Sequence, residues 1–238
     1  MSSSLNILCI DSSTEACSVA LATNDTTTHH FMLAPREHTQ KILPTVNDVV
    51  KQANLTLADI DVIAYGQGPG SFTGVRIGIS IAQGLAYGLE KKMVGVSTLQ
   101  AMAQQALVNN PNCQSVYAAI DARMGEVYFA QYINQHDVMT LQEKEVVIKP
   151  EALIEQYQTQ GLSIESKSTL VGTGWAAYPE LLAYFEVCQQ TEILYPDAQF
   201  MLTAAAQLIA DNQAVNPESA TPVYLRDTVT WKKLPGRE

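Results

Sequence analysis

"NILCIDSSTEACSVALAT" (Asn6–Thr23) decides the fold, because a later stretch repeats its form: "SVYAAIDARMGEVYFAQYI" (Ser115–Ile133). Each begins with an apolar run rich in β-formers that closes on Ile-Asp, at Asp11 and at Asp121. Each continues through turn residues, "SSTE" in one and "ARMG" in the other, into a second β-rich run. Both read as hairpins. A supersecondary unit that recurs along a chain marks an internal duplication, here of two related lobes. The boundary falls after a helix from about Thr98 to Val108, where "NNPNCQ" supplies turn residues. Residues 1–108 are thus expected as an N-terminal lobe and 109–238 as a C-terminal one, with the last segment free to fold back on the first.

Outward from the first hairpin, "THHFMLA" reads as a third strand. From Thr39 the apolar residues Ile42, Leu43, Val46, Val49, Val50 and Ala53 recur at helical spacing. Pro44 lies inside that pattern, so the helix starts near it or kinks there. "DVIAYGQ" (Asp61–Gln67) is apolar at its centre, as a strand covered on both faces must be. The loop "GQGPGSFTGVRIG" (Gly66–Gly78) follows, and a helix runs from about Thr73 to Leu89. That helix carries one apolar face through Val75, Ile79, Ala82, Leu85 and Leu89, yet Ile77, Ile81, Ala86 and Tyr87 fall outside it. A helix apolar nearly all round is covered on more than one side. Gly74 with Gly78, and Gly84 with Gly88, would each let another backbone come close. Tight packing within the lobe and a subunit interface both satisfy this pattern. Farther on, "TLVGTGW" reads as a strand entering a second glycine turn, and helices are expected near Pro179–Phe185 and Leu202–Asn212. The tail "TVTWKKLPGRE" is polar and basic, and is expected to be loose.

Composition narrows the function. The 238 residues are 47% hydrophobic and 16% charged, with a formal net charge of -10. Such a surface repels nucleic acid, whose binding rests on cations that neutralise phosphates, so an RNA role needs a basic partner. Cys9, Cys17, Cys113 and Cys188 have no CxxC spacing and apolar neighbours, as reduced core thiols of a cytoplasmic protein do. The start lacks the basic and apolar regions of a leader, and nothing reaches membrane-spanning length.

The glycine loop is the first candidate for chemistry. A Walker loop requires a lysine and a following hydroxyl; "GPGSFTG" has no lysine, and Pro69 lacks an amide donor. The dinucleotide spacing fails as well, because Gly68 and Gly70 are followed by Thr73 where a third glycine belongs. Ser71, Thr73, Gly74 and the free amides of a helix start could still cradle an anion, with Arg76 the nearby cation. A purely structural turn fits the same residues. Asp11, beside Ser12 and Ser13, either orients water or magnesium near a phosphate or closes the hairpin as an Asx turn. The four histidines, His29, His30, His38 and His136, form neither HExxH nor a cluster with cysteine, so no metal site is expected. His38 reads as a surface or capping residue. There is no G-x-S-x-G elbow for a hydrolase serine.

Taken together, "ILCIDSSTEACSVAL", "HTQKILPTV", "DIDVIAYGQGPGSFTGVRIGISIAQGLAYGL" and "VGVSTLQAMA" resemble the bacterial TsaB (YeaZ) family. "GPGSFTGVRIG" is its most specific run, and "IDARMGEVYFAQY", "LVGTGW" and "PVYLRD" extend the likeness through the second lobe. The resemblance implies an α/β fold: two ribonuclease-H-like lobes of the actin-like ATPase (ASKHA) superfamily, with mixed sheets flanked by helices. It also implies a role in making threonylcarbamoyladenosine in the anticodon loop of tRNAs reading ANN codons. In that pathway a larger paralogue, TsaD, transfers the acyl group, and an ATPase, TsaE, joins the pair. TsaD-like proteins carry a metal-binding HxxxH just after the equivalent of "VGV". Here the segment is "STLQAMA" (Ser97–Ala103), with no histidine, so metal and transfer chemistry do not carry over.

Two functions follow. One is a non-catalytic subunit that pairs with a TsaD-like protein, or with itself, through Leu43, Val46, Val50, Ile77, Ile81, Gly84 and Tyr87. It meets tRNA only through the complex, needs no cofactor, and makes at most a weak ATP, ADP or magnesium contact near the partner. The other is an ATPase or phosphotransferase in its own right, built on Asp11 and the Gly68–Gly74 loop. The "glycoprotease" label of such families would need a metal site that these residues do not offer.

Overall fold

The computed structural model describes residues 5–24 and 26–226; the basic tail from Thr228 lies outside them. Five strands, β1 (Ile7–Asp11), β2 (Ala16–Ala22), β3 (Thr27–Leu33), β4 (Val62–Gly68) and β5 (Lys92–Ser97), form one sheet in the order β3-β2-β1-β4-β5. β1 runs antiparallel to β2 and parallel to β4, β2 antiparallel to β3, and β4 parallel to β5. The second sheet is built from β6 (Ser115–Arg123), β7 (Glu126–Gln135), β8 (Val138–Leu141), β10 (Thr169–Val171) and β11 (Gln189–Gln190), in the order β11-β10-β6-β7-β8. A short strand, β9 (Val146–Ile148), also pairs with β7. Strand for strand, the second sheet repeats the first: β6 is antiparallel to β7 and parallel to β10, and β10 is parallel to β11. The duplication expected from two Ile-Asp hairpins is present in the topology, and the α/β, two-sheet fold class is the one observed.

The helices follow from the same arithmetic. α1 (His38–Gln52) contains Pro44 in its interior, so it begins before the proline. Its stripe of Ile42, Val46, Val49 and Val50 lies on the first sheet with α2 (Phe72–Gly88), against Leu8, Ile10 and Val19. The other face of that sheet, with Ile7, Cys9, Ala64 and Val96, is covered by Ala198, Met201 and α7 (Leu202–Ala210). Strands covered on both faces are apolar along their length, as Ile7–Ile10 of β1 are; all five residues of β1 are buried, with Asp11 at its end. α3 (Thr98–Asn109) lies between the lobes. Leu99, Met102, Ala103, Ala106 and Leu107 pack on the second sheet, and Ala101 joins the core of the first. The far face of the second sheet holds an aromatic cluster of Tyr117, Phe129, Tyr157, Trp175 and Phe185. It is covered by α4 (Pro150–Gln160), α5 (Gly174–Ala177) and α6 (Pro179–Tyr184). All four cysteines are free and buried. His38 is not on the surface: it is buried, with Nε2 3.1 Å from the carbonyl of Ala16, because α1 starts directly over the β1–β2 hairpin.

Candidate functional site: a closed loop and an open helix face

The glycine loop closes on its own molecule. The Ser71 amide donates to the Ser13 carbonyl at 2.7 Å, and the Ser12 hydroxyl donates to the Gly74 carbonyl at 2.9 Å. Ser71 also caps α2 by accepting from the Gly74 amide. The glycines are required by this contact. A Cβ on Gly70 would stand 2.2 Å from the Ser13 carbonyl oxygen, one on Gly74 2.2 Å from that of Ser12, and one on Gly78 2.7 Å from Ser12 Oγ. The turn of the first hairpin therefore sits directly against the glycine loop. Gly68 stands slightly apart, its φ of +97° suiting glycine and its Cα facing the Val223 carbonyl.

Asp11 is 1% exposed and lies under Gly66, where any Cβ would come within 1.8 Å of Asp11 Oδ2. Its carboxylate accepts from the Ser13 amide (3.0 Å) and the Ser13 hydroxyl (2.9 and 3.1 Å), the geometry of an Asx turn. Burial pushes its pKa up to about 6, against the lowering effect of the Ser13 bonds. Asp121 repeats the arrangement in the second lobe, with Oδ1 accepting from the amide two residues on, that of Arg123 (2.9 Å), and from the Tyr178 hydroxyl (3.0 Å). Arg123 also reaches across to Glu15 of the first hairpin at 3.3 Å. Asp11, Ser12, Ser13, Gly70, Ser71 and Gly74 are thus brought together. Thr73 and Arg76 are not: both are exposed, and the Arg76 guanidinium lies 3.7 Å over the Phe72 ring while its Nε donates to the Tyr224 hydroxyl at 2.6 Å.

The residues after "VGV" do another job. Ser97 caps α3 by accepting from the amides of Leu99 and Gln100, and its hydroxyl donates to Glu145, which also receives the Tyr132 hydroxyl at 2.6 Å. Burial raises the pKa of Glu145 and of Tyr132. Thr98 meanwhile donates to Ser13 Oγ at 3.0 Å, so the first turn of α3 joins both lobes. This Ser97–Tyr132–Glu145 group was missed by sequence reasoning; its members lie on β5, on β7 and in the loop before β9, and no local spacing connects them. Among the described residues no three His, Cys, Asp or Glu side chains converge to hold a metal ion.

The helix face is open where the loop is closed. Tyr87 is 77% and Leu43 49% exposed, and Gly84 and Gly88 have nothing within 4 Å of where a Cβ would stand. Ile77 and Ile81 are half-buried at the edge of this stripe. Val46 and Val50 are a correction. At 2% and 4% exposure they face the chain's own sheet, because the α1 stripe that contains them is the inward one; Leu43, one position off that stripe, is its outward residue. The two glycine pairs part in the same way, Gly74 and Gly78 serving the interior and Gly84 and Gly88 the surface.

Comparison with known proteins places this geometry in a family. The family described as "TsaD: tRNA N6-adenosine threonylcarbamoyltransferase" matches residues 30–234. A relative from Escherichia coli K12, named tRNA threonylcarbamoyladenosine biosynthesis protein TsaB, is 51% identical over 236 residues, covering 98% of this chain and 100% of that one. The Haemophilus influenzae protein of the same name is 41% identical, covering 98% of this chain and 99% of that one. A solved structure, "YeaZ from Pseudomonas aeruginosa", superimposes with a TM-score of 0.81 at 37% identity, over 93% of this chain and 100% of that chain. With full-length relatives of one name and a matching solved fold, the chain belongs to the TsaB (YeaZ) family.

Proposed function

We propose that the chain works in the biosynthesis of threonylcarbamoyladenosine in the anticodon loop of tRNAs that read ANN codons, as a non-catalytic subunit paired with a TsaD-like paralogue. The observation that carries this reading is the outer face of α2, where Tyr87, Gly84 and Gly88 stand uncovered, with Leu43 outward on the neighbouring α1. An apolar, small-residue helix face of this kind suits a second helix at close approach. The same face serves a homodimer when the paralogue is absent, and a TsaE-like ATPase joins the assembled pair. The chain meets tRNA through the complex, in the cytoplasm; among the described residues no helix is long and apolar enough to cross a membrane. It needs no cofactor of its own, and any ATP, ADP or magnesium contact falls at the partner interface.

The alternative, an independent ATPase, asks Asp11 to face a nucleotide. Asp11 instead spends both oxygens on Ser13 beneath Gly66. The test is reconstitution of the tRNA modification with a TsaD-like subunit, with and without this chain, together with capture of that subunit by a Gly84→Arg variant. Capture should fall at least tenfold while the variant keeps its far-UV circular dichroism. Undiminished capture by a folded Gly84→Arg chain, or full modification without the chain, would overturn the reading.

A further inference from the structure

Beyond α7, residues 214–226 run as a strap over the first lobe. Val215 bridges to Met93, and the side-chain amide of Gln83 donates to the carbonyls of Pro217 (2.8 Å) and Ala220 (3.1 Å). The Val223 amide donates to the Gln67 carbonyl at 2.8 Å, in space left by Gly68. Tyr224 packs on Phe72, the rings tilted by 31° with centroids 5.6 Å apart, and accepts from Arg76. One residue then leaves the first lobe. Arg226 donates through Nε (3.1 Å) and Nη2 to the Glu126 carboxylate, and through Nη2 to the Ala122 carbonyl at 3.2 Å. Ala122 and Glu126 flank the β6–β7 turn, the second lobe's counterpart of the Ser12–Ser13 turn.

We infer that the strap is an interlobe latch, in which Arg226 grips the β6–β7 hairpin and fixes the second lobe against the first. Each hairpin is then held from within the molecule: Ser12 and Ser13 by the glycine loop, Ala122 and Glu126 by the strap. The direct ion pair between the hairpins, Arg123–Glu15, is a poor substitute, since its side chains are 75% and 46% exposed; those of Arg226 and Glu126 are 19% and 26% exposed. Exposed pairs contribute little, whereas a shielded guanidinium with two donors on one carboxylate is strong and directional. The inference concerns the isolated chain and stands whether or not the pairing proposed above is correct.

Spin labels at two exposed sites, Lys51 of the first lobe and Glu155 of the second, report the lobe separation in the full chain. Arg226→Ala should at least double the width of the distance distribution. Arg226→Lys, which keeps the charge and loses the fork, should fall between. The charge swap Arg226→Glu with Glu126→Arg should restore the narrow distribution, and Arg123→Ala should leave it unchanged. Amide exchange at the 121–127 hairpin should quicken at least tenfold in Arg226→Ala. An unchanged width in a folded Arg226→Ala or Arg226→Lys chain, a swap no narrower than the single variants, or equal broadening in Arg123→Ala would each overturn the latch.

Discussion

Asp11 is held out of water with only Ser13 bonded to its charge, and the cost of that arrangement has a definite sign. Its folded pKa, about 6, stands above the ordinary 3.8, so the native state binds its proton more tightly than the unfolded chain does. Below pH 4 both states are protonated and Asp11 is neutral to stability. As pH rises from 4 to 6 stability falls, by about 3 kcal/mol once both states are ionised. An Asp11→Asn variant escapes the penalty while its amide oxygen still accepts from the Ser13 backbone. It should match the parent at pH 4 and exceed it by about 1–3 kcal/mol at pH 8 in urea unfolding. A loss of stability at pH 8 would show that the charge itself holds the turn. The turn at Asp11 was legible as one of two options from "IDSS". Its burial was not legible, because it depends on Gly66, distant in sequence and meeting Asp11 through the pairing of β1 with β4.

α2 shows how one element serves two masters, and where the sequence stops being informative. Its all-round apolarity was readable, as was its start beside Ser71. Its four glycines read as two equivalent pairs, because spacing does not say which flank meets the hairpin. The structure separates them, and substitution should too. Gly74→Ala pushes a methyl into the Ser12 carbonyl and should cost about 1–3 kcal/mol. Gly84→Ala, with open space around it, should stabilise the isolated chain by up to about 1 kcal/mol through helix propensity alone. Thermal unfolding of the two variants checks both, and a cost at Gly84 equal to that at Gly74 would argue for a covered face. Val46 and Val50 were assigned outward because periodicity finds an apolar stripe without saying what covers it. α4 had readable signals that were passed over, a proline at its first turn and Gly161 closing it in the left-handed conformation (φ +62°). β11, at two residues, carries no pattern to read.

At the scale of the molecule, the repeated strand order was legible from two hairpins; the path of the helices was not. α3 follows the first sheet in the chain but packs chiefly on the second, while Ala198–Ala210 follow the second and cover the first. No local period encodes such a crossing, which is decided by which buried faces remain to be covered. Unfolding should therefore be one event. Trp175 fluorescence in a Trp231→Phe background reports the second lobe, and a dye on Lys51 the first; their urea midpoints should coincide. Two separated midpoints would mean that each lobe closes its own core.

The crossing also sets a timetable for synthesis. When β5 leaves the ribosome, one side of the first sheet is still bare, and its cover lies about a hundred residues downstream in Ala198–Ala205. At elongation rates of about 5–20 residues per second that wait is roughly 5–20 s. Through that interval Ile7, Cys9, Ala64 and Val96 face water, an apolar surface of the kind chaperones hold, long before the amino-terminal half can stand unaided.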